Sequence, residues 1–167
     1  RLPFRHARGV RSILASGNGR IEATEIADRI LIAERIARYG WCIDERRLDA
    51  MMANFTETVL WDGSVMGVDQ VGPFHGQQEV REFLAGILET QTAQRRHSFT
   101  NVVVDRLDGD EATAHAYLLL WSSEQGRTTP ITTGPYRFTF TRMGGEWLIS
   151  AVLAGWDAPL DWQDEEG

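Results

Sequence analysis

Two side chains in this sequence have the types and the placement to move a proton between them and a substrate: Asp44 and His97. Ile26, Ile30, Ala33, Ala37 and Trp41 recur at steps of four or three, the spacing of one helical face, and the next step lands on Asp44. That spacing predicts an acid continuing a buried stripe, in the last turn of a helix, where the macrodipole disfavours negative charge. A desolvated, unpaired carboxylate costs several kcal/mol, so Asp44 is expected either to be neutral or to have a cationic or hydrogen-bonding partner.

Arg46, Arg47 and Arg137 could supply a structural ion pair, and the four histidines are the other candidates. His6 lies in the leader. His75, in the run Pro73-Phe74-His75-Gly76, precedes a helix and reads as a capping or surface residue. His115 shares a strand face with Thr113 and Tyr117 and reads as an outward or subunit-contact residue. His97 opens a strand on which His97, Phe99, Asn101 and Val103 point one way. A buried imidazole beside a buried carboxylate is held in one tautomer, the combination used to abstract a proton near neutral pH.

The elements that must position this pair follow from periodicity. Glu22 to Asp44 reads as a long helix with Glu25/Arg29 and Glu34/Arg38 as i,i+4 ion pairs, followed by a short helix from Arg47 to Phe55. Thr58–Trp61 reads as a strand stopping at Asp62-Gly63, residues 63–76 as irregular, and Gln77–Thr90 as a third amphipathic helix. After that, His97–Val104, Ala112–Trp121, Thr132–Arg142 and Trp147–Ala154 alternate as strands, the last two joined by a tight Gly144-Gly145 turn. Three helices and an antiparallel meander make an α+β domain whose sheet must curl around the helices to bury one face of each.

Composition bounds what such a domain can do. The chain has 167 residues, enough for one domain with a core. Residues 1–21 read as a basic arm with five arginines and no acid, 22–158 as the folded domain, and 159–167 as an acidic tail. A net charge of -7 argues against a nucleic-acid surface, and no apolar stretch approaches membrane-spanning length. All seventeen basic residues are Arg, which removes Schiff-base and phosphate-loop lysines. The single cysteine, Cys42, excludes an internal disulfide, fits a cytoplasmic protein, and reads as a small core residue. Asp105, Asp108 and Asp110 flank a turn without the spacing of a metal site. No metal and no cofactor are expected.

The runs Ala37-Arg38-Tyr39-Gly40-Trp41-Cys42-Ile43-Asp44, Phe74-His75-Gly76, His97-Ser98-Phe99-Thr100-Asn101 and Gly145-Glu146-Trp147 resemble the SnoaL-like branch of the nuclear transport factor 2-like superfamily. Within it they are most similar to the group holding scytalone dehydratase, bile acid 7-alpha dehydratase and hexachlorocyclohexane dehydrochlorinase. The resemblance implies a cone, with a curved β-sheet wrapped around the three N-terminal helices and a pocket at the open end. It implies His97 as general base, Asp44 as its orienter and Tyr39 as a donor to a leaving hydroxyl or a carbonyl. By the same alignment Ser122 and Tyr136 face the interior; Trp61 and Trp156, at strand ends near the expected mouth, and Phe99 and Asn101, on the His97 face of their strand, complete the expected substrate-binding set. Ser122 stands where scytalone dehydratase has its second histidine, and Trp156 near the place of an arginine in the bile acid enzyme, so neither substrate transfers.

These observations lead to a cofactor-independent lyase, of dehydratase or dehydrohalogenase type, or an isomerase or cyclase, acting on an apolar cyclic small molecule. An isomerase in which Asp44 itself is the base is one variant. A non-catalytic ligand-binding or structural subunit, like the small subunit of ring-hydroxylating dioxygenases, is the competing expectation. The resemblance also implies a homodimer or higher homo-oligomer.

Overall fold

The computed structural model describes residues 22–159, so the arm expected over 1–21 and the tail beyond Pro159 lie outside the described residues. Three helices, α1 (Ala23–Asp44), α2 (Leu48–Met52) and α3 (Gly76–Thr90), accompany six strands. The strands are β1 (Phe55–Val65), β2 (Asp69–His75), β3 (Gln94–Asp108), β4 (Glu111–Glu124), β5 (Arg127–Met143) and β6 (Glu146–Trp156). They form one curved sheet in the order β2-β1-β6-β5-β4-β3. Only the β1/β6 pair is parallel, so the sheet is mixed.

The long helix forms where its pattern predicts, with Arg29 to Glu25 at 2.9 Å and Arg38 to Glu34 at 2.5 Å on its outer side. Its buried face is not the predicted one. Ile32, Ile36, Tyr39, Gly40 and Ile43 face the sheet, while Ile30 is 61% and Trp41 64% exposed. Both sets satisfy helical spacing, and they lie roughly 100° apart around the axis. The larger side chains of the Ile32 set won the interior. Asp44 is buried all the same, at 6% exposure, because it borders that face and β3 covers it.

Three further expectations are corrected. The second helix ends at Met52, since Phe55 is needed as the first buried residue of β1. Asp62-Gly63 does not turn the chain: β1 runs on to Val65 through a register shift between Trp61 and Gly63. A Cβ at Gly63 would stand 3.0–3.1 Å from the Trp156 and Trp61 rings, so this glycine marks a close approach rather than a turn. Residues 69–75, expected to be irregular, pair with β1 as β2.

The register of β3 also departs from strict alternation. Its pairing with β4 shifts between Thr100 and Val103, where Asn101 takes a left-handed φ of 52°, a conformation asparagine tolerates. The bulge flips the parity. Phe99 faces inward before it, and Val102 and Val104 after it, leaving Asn101 and Val103 exposed.

Trp147 anchors the far end of α1, as a core residue. Its indole N–H donates to Asp28 at 3.0 Å, and Arg142 both pairs with Asp28 and lies 4.4 Å over the Trp147 ring. Among the described residues no helix is long and apolar enough to cross a membrane.

Candidate functional site

The C-terminus of α1 is stitched to the start of β3. Gln94 Nε2 donates to the Asp44 carbonyl at 2.9 Å, and Arg46 donates to the carbonyl of Gln91 at 2.5 Å. Asp44 itself accepts from His97 three times: Oδ2 takes the backbone N–H at 2.9 Å, Oδ1 the same N–H at 3.2 Å, and Oδ1 meets Nδ1 of the ring at 2.6 Å. An ionised carboxylate only accepts, so Nδ1 carries the proton and the other ring nitrogen, Nε2, is left with a free lone pair. One carboxylate thus fixes the backbone, the ring orientation and the tautomer of one histidine. Both side chains are nearly enclosed, His97 11% and Asp44 7% exposed.

The close seating of helix on strand depends on a residue that chemical reasoning passed over. Gly40 lies with its α-carbon so near β3 that an added Cβ would come within 2.9 Å of the His97 carbonyl and 3.3 Å of the Phe99 ring. The signal in the sequence was a glycine inside a helical pattern, where it costs about 1 kcal/mol unless close packing requires it. Beside the pair runs a cleft of about 280 Å³ between α1 and β3, lined by Ala33, Ala37 and Trp41 on the helix and by Arg96, His97, Phe99 and Val102 on the strand.

Five of the other expected site residues come together, four of them behind Phe99. The Tyr39 oxygen accepts the Trp61 indole N–H at 3.0 Å. Phe99 packs edge-on to Tyr39 at 5.7 Å and to Tyr136 at 5.2 Å, and Trp156 contacts Tyr136 at 6.3 Å and Trp61 at 5.9 Å. Trp61 and Trp156, expected at the mouth, are instead buried, and Phe74 and Phe83 pack against Trp61. Ser122 is half-buried and pairs with Arg95, one inward step beyond the Leu120/His97 pair. Asn101 does not join this group, because the bulge turns it to solvent.

Burial dominates the two interior phenols. It pushes Tyr39 up to about 12 against the pull of the Trp61 N–H. Tyr136 is raised well above its ordinary value by burial, with Tyr39 adding to the effect and the Trp156 N–H opposing it. Both are therefore proton donors, not bases, at neutral pH.

The remaining candidates are structural. His75 is exposed and caps α3 only through its backbone N–H, which donates to Glu79. His115 lies on the outer sheet face and pairs with Asp105 at 2.8 Å. Cys42 packs against the core, and its sulfur accepts from Asn54 at 3.6 Å. Among the described residues no three His, Cys, Asp or Glu side chains gather as metal ligands would.

Solved structures repeat this architecture. A cystatin-like-fold protein of unknown function from Nostoc punctiforme superposes with a TM-score of 0.69 at 20% identity, covering 81% of this chain and 96% of its own. A protein from Novosphingobium aromaticivorans, provisionally assigned as an aromatic ring hydroxylase, has a TM-score of 0.66 at 25% identity, with coverage of 81% and 92%. The β subunit of a provisionally assigned aromatic-ring-hydroxylating dioxygenase from the same organism reaches 0.70 at 19% identity, with coverage of 83% and 94%. No curated protein sequence matches the chain. The SnoaL-like domain matches residues 24–152, from the first turn of α1 to the middle of β6, and the chain belongs to that family.

Proposed function

We propose that this protein is a cofactor-independent lyase or isomerase in which His97 removes a proton from carbon and Asp44 holds it in the reactive tautomer. The observation that carries this reading is the double engagement of one carboxylate with the backbone N–H and Nδ1 of the same histidine. A carboxylate needed only to cap the β3 edge would be satisfied by the backbone contact. The second contact does something else: it leaves Nε2 as an acceptor beside a cleft with apolar walls. A cleft of this size suits an apolar cyclic molecule of one or two rings, since it lies at the lower end of ligand-pocket volumes.

The test is a screen of cyclic ketones, alcohols and halides for elimination or isomerisation by the wild type, repeated with His97→Ala. The reading predicts a folded variant whose turnover falls by orders of magnitude on any substrate found. Unchanged turnover refutes it.

The interior rings favour a second reading, because Tyr39, Trp61, Phe99, Tyr136 and Trp156 pack against one another. A core closed in this way suits a non-catalytic subunit of the kind found in the dioxygenase β-subunit relative. Co-purification with an iron–sulfur partner subunit would establish it. Under either reading we assign a homodimer or higher homo-oligomer. The outer face of β3, β4 and β6 exposes Val103, Tyr117, Trp121 and Leu153, and light scattering reads the assembly directly.

A further inference from the structure

β3 is the last strand of the sheet, so one of its edges pairs with β4 and the other faces α1. Along an antiparallel strand the N–H and C=O of one residue point to the same edge, and those of the next residue to the opposite one. The His97 N–H goes to Asp44 and its carbonyl lies against Gly40, so both point to the α1 edge. The Arg95 carbonyl, two residues earlier in unbroken register, points there too. It accepts twice: from Gln94 Nε2 at 2.8 Å, the same nitrogen that holds the Asp44 carbonyl, and from Nη1 of Arg96 at 3.1 Å. Alternation starts the Arg96 side chain on the face of the sheet opposite to His97. The bond to the Arg95 carbonyl folds it back over the edge, and Arg96 lines the cleft beside His97.

This cation has no counter-charge of its own. Arg29, Arg38, Arg106 and Arg142 each meet a carboxylate within the molecule. Arg96 meets none among the described residues, and a surface arginine with no such role would extend into water instead of folding back. Asp44 is the only acid lining the cleft, and both its oxygens are committed to His97. The remaining guanidinium N–H groups form a planar fork, the shape that takes a carboxylate through two parallel bonds. On the helix wall Trp41, 64% exposed, offers a flat apolar surface for a ring.

We propose that Arg96 holds a carboxylate carried by the ring compound in this cleft, so that the substrate is a cyclic acid of one or two rings. The proposal rests on the reading of the cleft as the place where His97 works, and it names the class of molecule that enters. An acid bound here would stand with Asp44 as a second negative charge in one small cleft, and Arg96 supplies the missing counter-charge. The chain's net charge of -7 repels acids at long range, so a local cation is what admits one. One guanidinium matches one negative charge, which sets a monocarboxylate above a phosphate.

The test titrates 2-naphthoate and its neutral isostere 2-naphthamide into the full chain by calorimetry. The wild type should bind the acid roughly 5- to 10-fold more tightly than the amide, the size of a part-exposed ion pair with good geometry. Arg96→Gln should erase that preference by weakening the acid alone. Trp41→Ala should weaken both probes alike, because it removes a wall and no charge. Arg137→Gln, which deletes an exposed arginine on the outer face of β5, should leave the preference intact. Failure of the wild type to bind or to prefer the acid, a preference that survives Arg96→Gln, or one that falls as far in Arg137→Gln would overturn the assignment. Binding is read without turnover, so a failed substrate screen strikes His97 as the base while these titrations strike or sustain Arg96.

Discussion

Replacing Asp44 by Asn separates a carboxylate that orients a base from one that merely ties a helix to a sheet edge. The Asn carbonyl keeps the shape and can still accept the His97 backbone N–H, now held at 2.9 Å by Oδ2. The other arm becomes an NH₂ group facing Nδ1 across the present 2.6 Å contact. Two donors cannot meet, so the imidazole must surrender its Nδ1 proton and carry it on Nε2, where the lone pair is needed. Charge-assisted bonds of about 1.5–3 kcal/mol give way to neutral ones of about 0.5–1.5. Relief from the C-terminal dipole returns about 0.3–1 kcal/mol. The net loss is about 2 kcal/mol, a fall in Tm of roughly 4–8 °C for a domain of this size. A base in the wrong tautomer costs far more in rate, about 10³- to 10⁴-fold by comparison with the same substitution in a serine-protease triad. The assay is paired: proton–nitrogen correlation of the imidazole to read the tautomer, and turnover on the substrate the screen identifies. A folded Asp44→Asn protein that keeps the proton on Nδ1, or keeps its rate within a few-fold of wild type, would refute the reasoning.

Gly40→Ala forces a methyl group to within 2.9 Å of the His97 carbonyl; the expected cost is about 1–3 kcal/mol together with loss of the Asp44 contact, read by melting and by the same correlation spectrum. Gly134→Ala should be harsher, since its Cβ would fall 2.0 Å from the Gly155 carbonyl of the neighbouring strand, and soluble expression should collapse. Tyr39 binds its proton more tightly folded, at about 12, than at the ordinary 10.0. The stabilisation is therefore complete below pH 10 and drains away as pH rises toward 12, by about 2–3 kcal/mol. Alkaline denaturation with Tyr39→Phe should show a correspondingly shallower loss over that window. His115→Ala, which removes only the exposed pair with Asp105, should leave turnover unchanged.

What was legible in the sequence was the pairing of Asp44 with His97 more than the geometry that frames it. Asp44 stood out because a carboxylate at the end of an apolar helix needs a partner, and His97 is the partner it has. Yet the stripe that drew attention to it is exposed, because α1 carries two sets of apolar residues at helical spacing and periodicity does not rank them. The correct face was distinguishable by side-chain size, Ile32, Ile36, Tyr39 and Ile43 against a set diluted by Ala33 and Ala37. Asn101 was misassigned for a different reason. Strand parity is a strict period of two only until a bulge intervenes, and an asparagine in left-handed conformation leaves no mark in the hydrophobic pattern. Asp62-Gly63 shows the converse: a turn dipeptide by composition, it serves within a strand because two tryptophan rings press on the glycine. Gly40 was visible but had no partner until β3 was laid against it.

The central claim is that His97 takes a proton from carbon while Asp44 holds its ring, and proton exchange tests it without knowledge of the natural product. In deuterium oxide, the wild type should wash deuterium into the carbon next to the carbonyl of a cyclic ketone that binds the cleft, followed by loss of that proton signal. The account predicts that exchange falls to the uncatalysed rate in His97→Ala and by about 10³-fold or more in Asp44→Asn. Exchange that survives in His97→Ala and vanishes only when Asp44 is replaced would contradict it, and would make the carboxylate the base.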